Sequence, residues 1–262
     1  MSGSSLLARD LRTAVSAGGL TIAYQAQYEL DDVPTRLGSA YPAPVAVEAL
    51  CRWNHPRLGP VPPDQFIPVA QHANLLGDVD RHVLVQAAGQ VARWREAGSD
   101  VTLSVNASPE HFSTGYADAV ITCLDELQMD PASLTIEIIE APVPQLRSEM
   151  RATIEMLQDI GVVISVDDFD AGNTTLAMLE SLPIDEVKID RGLTQRTDAA
   201  ADAAVVAVAN LASSRGWRIV AEGIETQADL DRARERGCHR GQGYLWGPPM
   251  PPEEAGQLVL GG

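Results

Sequence analysis

Short apolar runs alternate along this chain with longer stretches in which apolar residues recur at helical spacing, which predicts parallel strands joined by crossover helices. The helical stretches cover residues 78–97, 145–160, 203–215 and 227–236, and a glycine follows each of them. The strands are predicted at residues 22–28, 45–51, 101–105, 134–139, 163–166, 186–189, 218–221 and 241–245. Eight strands in about 250 residues favour an α/β fold of the TIM-like (β/α)8 barrel type. No glycine-rich phosphate motif follows a strand, which argues against an open doubly wound sheet.

Polar residues interrupt or end seven of these eight strands. Because strand side chains alternate with period two, the neighbouring apolar residues can face the helices while each polar residue points into the barrel. Active sites of such barrels form at the carboxyl ends of the strands. Asp167 and Asp168 are adjacent and cannot both point inward from one strand, so we expect Asp168 just past the strand end. The other inward polar residues are Glu48, Asn106, Glu137, Lys188, Glu222 and Gln242.

Each of these residues alone has an ordinary structural explanation, such as a solvated strand edge for Glu48 or a turn for Asn106. Together they do not, because central strands bury isolated charges only at a cost of several kcal/mol. Five carboxylates that meet in one place need cations, and oxygen ligands favour Mg²⁺ or Mn²⁺ over zinc. Two such ions about 3.5–4 Å apart would form a clamp for in-line displacement at phosphorus.

Two basic residues complete the predicted site. Lys188 could lower the pKa of an attacking water or stabilise developing negative charge. Arg52 has the same parity as Glu48 and lies about 13 Å further along the strand, at the barrel mouth, where it could hold a substrate phosphate. By itself, Arg52 is equally consistent with an ordinary surface ion pair.

The charge balance restricts the partners. The 262 residues include 36 acidic and 19 basic ones, which gives a net charge of −17. Such an excess argues against binding of a DNA or RNA polymer and against anchoring on anionic lipid. The sequence contains no apolar run that could span a membrane and no secretory signal, and its three cysteines are far apart. We therefore expect a cytoplasmic globular protein without a disulfide scaffold, whose small ligands include cations.

The ordered motifs of the chain resemble those of a known family. Glu48-Ala49-Leu50, followed by RWNHP at 52–56, resembles the signature of EAL domains, which are phosphodiesterases of the bacterial second messenger cyclic di-GMP. The resemblance covers a core of residues 20–250, and we expect one domain over residues 1–262. The other motifs are YQ at 24–25, FIP at 66–68, SVNAS at 104–108, EIIE at 137–140, DDF at 167–169, KID at 188–190, AEGIET at 221–226 and QGY at 242–244.

The resemblance implies a barrel whose first strand runs antiparallel to the others. It implies hydrolysis of cyclic di-GMP to the linear dinucleotide pGpG with two Mg²⁺ or Mn²⁺ ions that activate the attacking water. Inhibition by Ca²⁺ and a homodimer are implied as well.

The resemblance also implies roles for individual residues, carried over motif by motif. The first ion would be bound by Glu48, Asn106, Glu137 and Asp167, and the second by Asp167, Asp168 and Glu222. Catalysis would involve Glu48, Asp168, Lys188, Glu222 and Gln242, with Lys188 in contact with the attacking water. Substrate would be bound by Gln25, Arg52, Asp190 and Glu225, while Glu140 and Glu225 match positions that brace loops around the site.

The chain departs from the family pattern in the loop after Asp168. This loop usually reads DFGTGYSSL and here reads DFDAGNTTL, so Asp170 replaces a glycine. Because the loop couples metal binding to dimer contacts in the family, a non-catalytic cyclic di-GMP receptor that signals through its dimer surface is the main alternative to an enzyme. All implied metal ligands are nevertheless present, which favours the enzyme. A protein-interaction module without nucleotide binding is a third interpretation.

Overall fold

The computed structural model describes residues 3–33, 42–108, 112–139, 148–169 and 175–261. The strands are β1 (Leu20–Glu29), β2 (Ala46–His55), β3 (Gly59–Val61), β4 (Thr102–Ala107), β5 (Leu134–Ile139), β6 (Val163–Phe169), β7 (Glu186–Ile189), β8 (Arg218–Ala221) and β9 (Arg240–Gln242). The helices are α1 (Gly3–Ala17), α2 (Pro63–His72), α3 (Leu76–Glu96), α4 (Thr114–Leu127), α5 (Ser148–Asp159), α6 (Leu176–Ser181), α7 (Arg191–Gln195), α8 (Ala199–Arg215), α9 (Gln227–Glu235) and α10 (Pro252–Leu260).

The described strands form one sheet that closes into a barrel. The order around the sheet is β1-β9-β8-β7-β6-β5-β4-β2-β3, and an additional pairing of β1 with β2 closes the ring and leaves β3 as a hairpin on β2. β1 is antiparallel to both of its neighbours. The pairs from β2–β4 round to β8–β9 are all parallel. The predicted (β/α)8 barrel with a reversed first strand is therefore confirmed.

The strands lie where the apolar runs predict them, although several of their ends differ, most clearly in β2, β6 and β9. β2 continues past residue 51 to His55, because its last residues pair with β1 and β3. β9 ends at Gln242 rather than at residue 245, because the chain then turns to bond the loop after β8, with Leu245 N donating to Ile224 O. Glu140 and residues 145–147 and 170–174, which carried predictions, lie outside the described residues.

The structure contains helices that the predicted pattern leaves out, among them α1, α2, α4 and α10. α2 has Pro68 in its interior, where proline is atypical of a helix. α4 buries Tyr116, Val120 and Leu124. That four-residue spacing is a helical signal present in the sequence.

The apolar core lies between the barrel and the surrounding helices. On the strands, Val105, Ile136 and Val187 are buried on the face opposite to the inward polar residues. α3 supplies a long buried stripe that includes Val83, Ala87 and Trp94, at the spacing the sequence predicts.

The helices and the cysteines were compared with two expectations from the sequence, the absence of a membrane span and of a disulfide scaffold. Within the described ranges, no helix has both the length and the apolar character needed to cross a bilayer. The three cysteines, Cys51, Cys123 and Cys238, are free thiols.

Gly243 fixes the turn that carries Gln242 to the barrel mouth. A Cβ at this position would lie 2.1 Å from Ile224 O and 2.4 Å from Ile224 N, so the two backbone segments can approach only if residue 243 has no side chain. The contact joins β9 to the loop that follows Glu222.

We expect Gly243→Ala to lower the free energy of unfolding by about 1–3 kcal/mol, because the new methyl group overlaps backbone atoms that cannot move aside. The control is Gly89→Ala in α3, where the nearest atom to a new Cβ is Arg93 Nη1 at 3.9 Å. That variant should gain about 0.5–1 kcal/mol from the helical backbone. Urea denaturation of both variants measures the difference, and equal midpoints would contradict the steric explanation.

Candidate functional site

Lys188 of β7 lies inside the barrel at the centre of a ring of carboxylates. Its Nζ lies 2.7 Å from Glu222 Oε1 and 2.9 Å from Glu137 Oε2. The same atom lies 3.1 Å from Asp167 Oδ1 and 3.2 Å from Glu48 Oε2. The Lys188 side chain is 0% exposed, so among the described residues its charge is balanced by these four carboxylates. The structure thus brings together five of the residues singled out in the sequence, and these four acidic residues are called the carboxylate ring below.

Amide side chains hold the Glu48 carboxylate from two sides. Asn106 Nδ2 donates to Glu48 Oε1 at 3.0 Å, and Gln242 Nε2 donates to Glu48 Oε2 at 2.6 Å. Gln242 Nε2 also lies 3.0 Å from Gln25 Oε1, and Gln27 Nε2 donates to Gln242 Oε1 at 2.9 Å. Sequence reasoning missed Gln27. It follows Gln25 by two positions and therefore faces inward too, which is a signal that the strand period contains.

Asp167 and Asp168 both reach the site because β6 contains a bulge. The pairing of β6 with β7 shifts between Val166 and Phe169, and Asp168 has a left-handed φ of 59°. A bulge inserts an extra residue and re-aims side chains locally. The expectation that Asp168 lies past the strand end is therefore wrong, because β6 runs on to Phe169.

The bulge creates a second group of acidic side chains beside the ring. Carboxylate oxygens of Asp167, Asp168 and Glu222 lie within 4.8 Å of one another. Asp168 N donates to Asp167 Oδ1 at 3.0 Å, which orients the shared carboxylate. Three oxygen donors at this spacing can converge on one hard divalent cation.

Burial and mutual repulsion shift three of the ring carboxyls and the neighbouring Asp168 toward their protonated forms. Burial raises the pKa of Glu137 well above its usual range, and the nearby Glu48 carboxylate adds to this against the opposing Lys188 ammonium. Burial likewise raises the pKa of Asp167. Burial raises the pKa of Glu222 to about 8, although Lys188 opposes it. For Asp168, burial and then the Asp167 charge raise the pKa to about 6.

Glu48 and Lys188 keep their charges. Burial acts to raise the pKa of Glu48, but Lys188 and the hydrogen bonds from Gln242 and Asn106 outweigh it, so this pKa lies below its usual value. Burial acts to lower the pKa of Lys188, but the surrounding carboxylates, Asp167 first among them, raise it well above its usual value. Glu48 and Lys188 therefore form a charged pair, surrounded by three carboxyl groups whose pKa values are raised.

The donor set of the site fits a divalent cation. One ammonium faces four carboxylates, so the ring carries more negative charge than Lys188 can neutralise. The carboxylate oxygens of the ring are hard donors of the kind that suit Mg²⁺ or Mn²⁺.

Arg52 lies apart from the ring, on the part of β2 that extends beyond its pairing with β4. It lines an open cleft of about 1130 Å³ together with Thr21 and Pro60. Its Nη1 donates to Cys51 O at 2.9 Å, and the side chain is half-buried.

The two other predicted substrate-binding residues have structural partners. Asp190 caps α7, with Oδ1 accepting from Gly192 N at 2.7 Å. Glu225 Oε1 lies 2.9 Å from Arg191 Nη2. Their assignment to substrate binding stays a prediction.

A reversed-strand (β/α)8 barrel with an internal carboxylate ring defines a class of protein, and comparison with known proteins identifies the family. The EAL domain model matches residues 8–249. The chain therefore belongs to the EAL domain family, which is metal-dependent and includes cyclic di-GMP phosphodiesterases.

Three relatives illustrate the similarity. The solved phosphodiesterase MucR, in complex with cyclic di-GMP, is 34% identical, with a TM-score of 0.84 over 95% of this chain and 99% of that chain. The cyclic di-GMP phosphodiesterase PdeL of Escherichia coli is 34% identical over 209 residues, which are 78% of this chain and 58% of PdeL. The oxygen sensor protein DosP of the same organism is 34% identical over 95% of this chain. The chain spans 30–38% of the length of the curated relatives it matches first.

We expect Mn²⁺ to bind the metal-free protein more tightly as the pH rises from 5.5 to 8. Metal ligands must be deprotonated, and the raised pKa values of Asp168, about 6, and Glu222, about 8, mean that protons occupy the site below those values. Isothermal titration calorimetry in buffers of different ionisation enthalpy should detect proton release on binding. Asp168→Asn should reduce the release near pH 6, and an affinity independent of pH would contradict the expectation.

Proposed function

We propose that this protein is a metal-dependent phosphodiesterase that hydrolyses cyclic di-GMP to linear pGpG. The observation that carries the proposal is the complete carboxylate ring around Lys188, in which four carboxylates face a single ammonium group. A module that only binds a partner protein has no need to bury this many charges in one place, because each costs several kcal/mol unless it is compensated.

The residues divide into two overlapping sets of cation ligands. Asp167 belongs to both sets, because it faces Lys188 and also lies within reach of Asp168 and Glu222. When bound, Mg²⁺ or Mn²⁺ would offset the negative charge of the phosphodiester and lower the pKa of water at the site. The first set is Glu48, Asn106, Glu137 and Asp167, and the second is Asp167, Asp168 and Glu222.

The remaining residues orient groups and supply positive charge. Lys188 places an ammonium at the centre of the ring, where it can donate to an attacking water and stabilise negative charge that develops at phosphorus. Gln242 fixes Glu48 through a 2.6 Å hydrogen bond. Arg52, at the cleft, has the fork of donors that binds a phosphate oxygen pair. Gln25 touches Gln242 and would lie beside the ligand.

A similar solved protein and the net charge both support cyclic di-GMP as the substrate. MucR, 34% identical over nearly the whole chain, is solved with cyclic di-GMP. A net charge of −17 disfavours long polyanions, whereas a small dinucleotide can be bound through cations held in the carboxylate ring. A cytoplasmic location and an active homodimer are part of the same proposal.

Glu48→Gln should abolish turnover, with a loss of at least about 100-fold, because it removes a metal-ligand charge that Lys188, Asn106 and Gln242 already orient. Formation of pGpG in the presence of Mg²⁺ or Mn²⁺, followed by chromatography, measures the effect. The control is Glu96→Gln, the same chemical change on an exposed turn of α3, which should leave the rate unchanged. Wild-type turnover by Glu48→Gln would show that the site assignment is wrong.

The main alternative is a receptor that binds cyclic di-GMP without cleaving it. The sequence of the loop at 170–175, in which Asp170 replaces a glycine, motivates this alternative. An enzyme predicts pGpG formation with at least one of the two metals and ligand retention without cleavage in Ca²⁺.

A receptor instead predicts micromolar binding in Ca²⁺ and no turnover with Mg²⁺ or Mn²⁺. Asp170→Gly then distinguishes a weakened enzyme from a receptor. We expect the variant to raise the rate if the loop limits activity, and an unchanged rate would remove the loop as a cause.

A further inference from the structure

The barrel interior below the carboxylate ring is unusually polar. Barrels of this type fill their interior mainly with branched apolar side chains. Here the inward positions one layer below the ring hold buried polar residues instead, namely Gln27, Ser104, Thr135, Ser165 and Glu186. Polar groups this deep need hydrogen-bond partners, because an unpartnered one costs free energy comparable to a lost hydrogen bond.

Three of the inward polar residues are direct neighbours across three strands. Glu137 on β5 is in register with Ser165 on β6, and Ser165 is in register with Glu186 on β7. Residues in register share a face of the sheet, and neighbouring strands lie about 4.7–4.9 Å apart. Because Glu137 faces the barrel axis through its contact with Lys188, all three side chains point into the same interior space.

Each of these three side chains has one buried polar atom without a partner among the described residues. The atoms are Glu137 Oε1, Ser165 Oγ and Glu186 Oε1. The second oxygen of each glutamate is engaged, since Glu137 Oε2 lies 2.9 Å from Lys188 Nζ and Glu186 Oε2 accepts from Arg218 Nε at 2.5 Å. The exposed fractions of Glu137, Ser165 and Glu186 are 0%, 0% and 1%, so bulk solvent does not supply the missing bonds.

We propose that a single buried water molecule joins these three atoms, and that Ser165 and Glu186 are positioning residues for Glu137. The hydrogen-bond capacities match one for one. With both glutamates ionised, as a cation bound at the ring would keep Glu137, a water donates two hydrogen bonds to the two carboxylate oxygens and accepts one from the Ser165 hydroxyl. Buried waters typically make about three such bonds to polar groups that lack other partners.

The water would determine how Glu137 presents its carboxylate to the ring. A donor on Oε1 holds the plane of the carboxylate so that Oε2 stays directed at Lys188 and the cation ligands. Glu186 is in turn fixed by Arg218, so the orientation is anchored at the lower end of the barrel. Groups that orient a metal ligand in this way typically change metal affinity by about 10–100-fold when they are removed. The inference rests on the proposed function only in treating Glu137 as a cation ligand.

The test begins with a crystal structure of the wild-type protein at high resolution. We expect a density peak within about 3.2 Å of Glu137 Oε1, Ser165 Oγ and Glu186 Oε1. Empty space there would overturn the proposal, and so would a direct hydrogen bond from Ser165 to either glutamate. Oxygen distances below about 2.5 Å would also overturn it, because they would identify a metal cation instead of water.

The second part compares two nearly isosteric variants, Ser165→Val and Ser165→Thr. Both add the same bulk, but only the threonine variant keeps a hydroxyl. We expect Ser165→Val to weaken Mn²⁺ binding about 10-fold, measured by calorimetry, while Ser165→Thr stays within about 3-fold of wild type. Thr135→Val, which removes a buried hydroxyl from the same layer on β5, should also stay within about 3-fold and controls for lost polarity alone.

Equal Mn²⁺ affinities of the valine and threonine variants would overturn the positioning role. If Ser165→Val fails to fold, the wild-type density still decides whether the water exists, and Glu186→Gln, expected to weaken Mn²⁺ binding, replaces it in the binding assay. If the wild-type protein itself binds no Mn²⁺, the proposed function fails, while the density continues to test the water.

Discussion

The Lys188 ammonium is the charge on which the interior of this barrel depends. It lies 2.7–3.2 Å from four carboxylates, three on different strands and the fourth from Glu222 directly after β8, and its side chain is fully buried. In such an arrangement the removal of one partner typically destabilises a protein by about 3–5 kcal/mol, because the other charges stay buried without compensation. The same arrangement holds the ring of acidic residues together while leaving it short of positive charge. The interaction that stabilises the ring is therefore also the one that leaves it able to accept a cation.

The residues that form the ring could be predicted because their chemistry repeats with the strand period. Glu48, Glu137 and Lys188 each interrupt an apolar run, and period two sends them to the face opposite their neighbours. Gln27 follows the same rule, two positions after Gln25 on β1. The reversed direction of β1 could not be obtained from alternation alone, which does not distinguish strand direction, and came from family resemblance.

The parts that could not be predicted depend on contacts between distant segments. The bulge at Asp168 requires a positive φ and a register shift against β7, and neither has a signature in the sequence VISVDDF. The partner of Glu225 is Arg191, which lies beside it only once β7 and β8 are paired, whereas the cap that Asp190 forms on Gly192 N is local. α2 was missed because a proline interrupts its apolar positions, so tertiary packing rather than local pattern stabilises it. α1 does carry a helical signal, with Leu7, Leu11 and Val15 at four-residue spacing.

The reversed strand β1 has a consequence for the way the polypeptide enters the fold. Its first residue, Leu20, pairs with Trp53 near the carboxyl end of β2, so α1 is delivered to the same end of the barrel as Arg52. Asp10 of α1 is already tied to that end, through a 3.1 Å contact with His55. If all strands ran in one direction, a preceding helix would arrive at the opposite end. Here α1 and the proposed ligand site lie at the same end of the barrel. A displacement of α1 would therefore act directly on the mouth of the barrel.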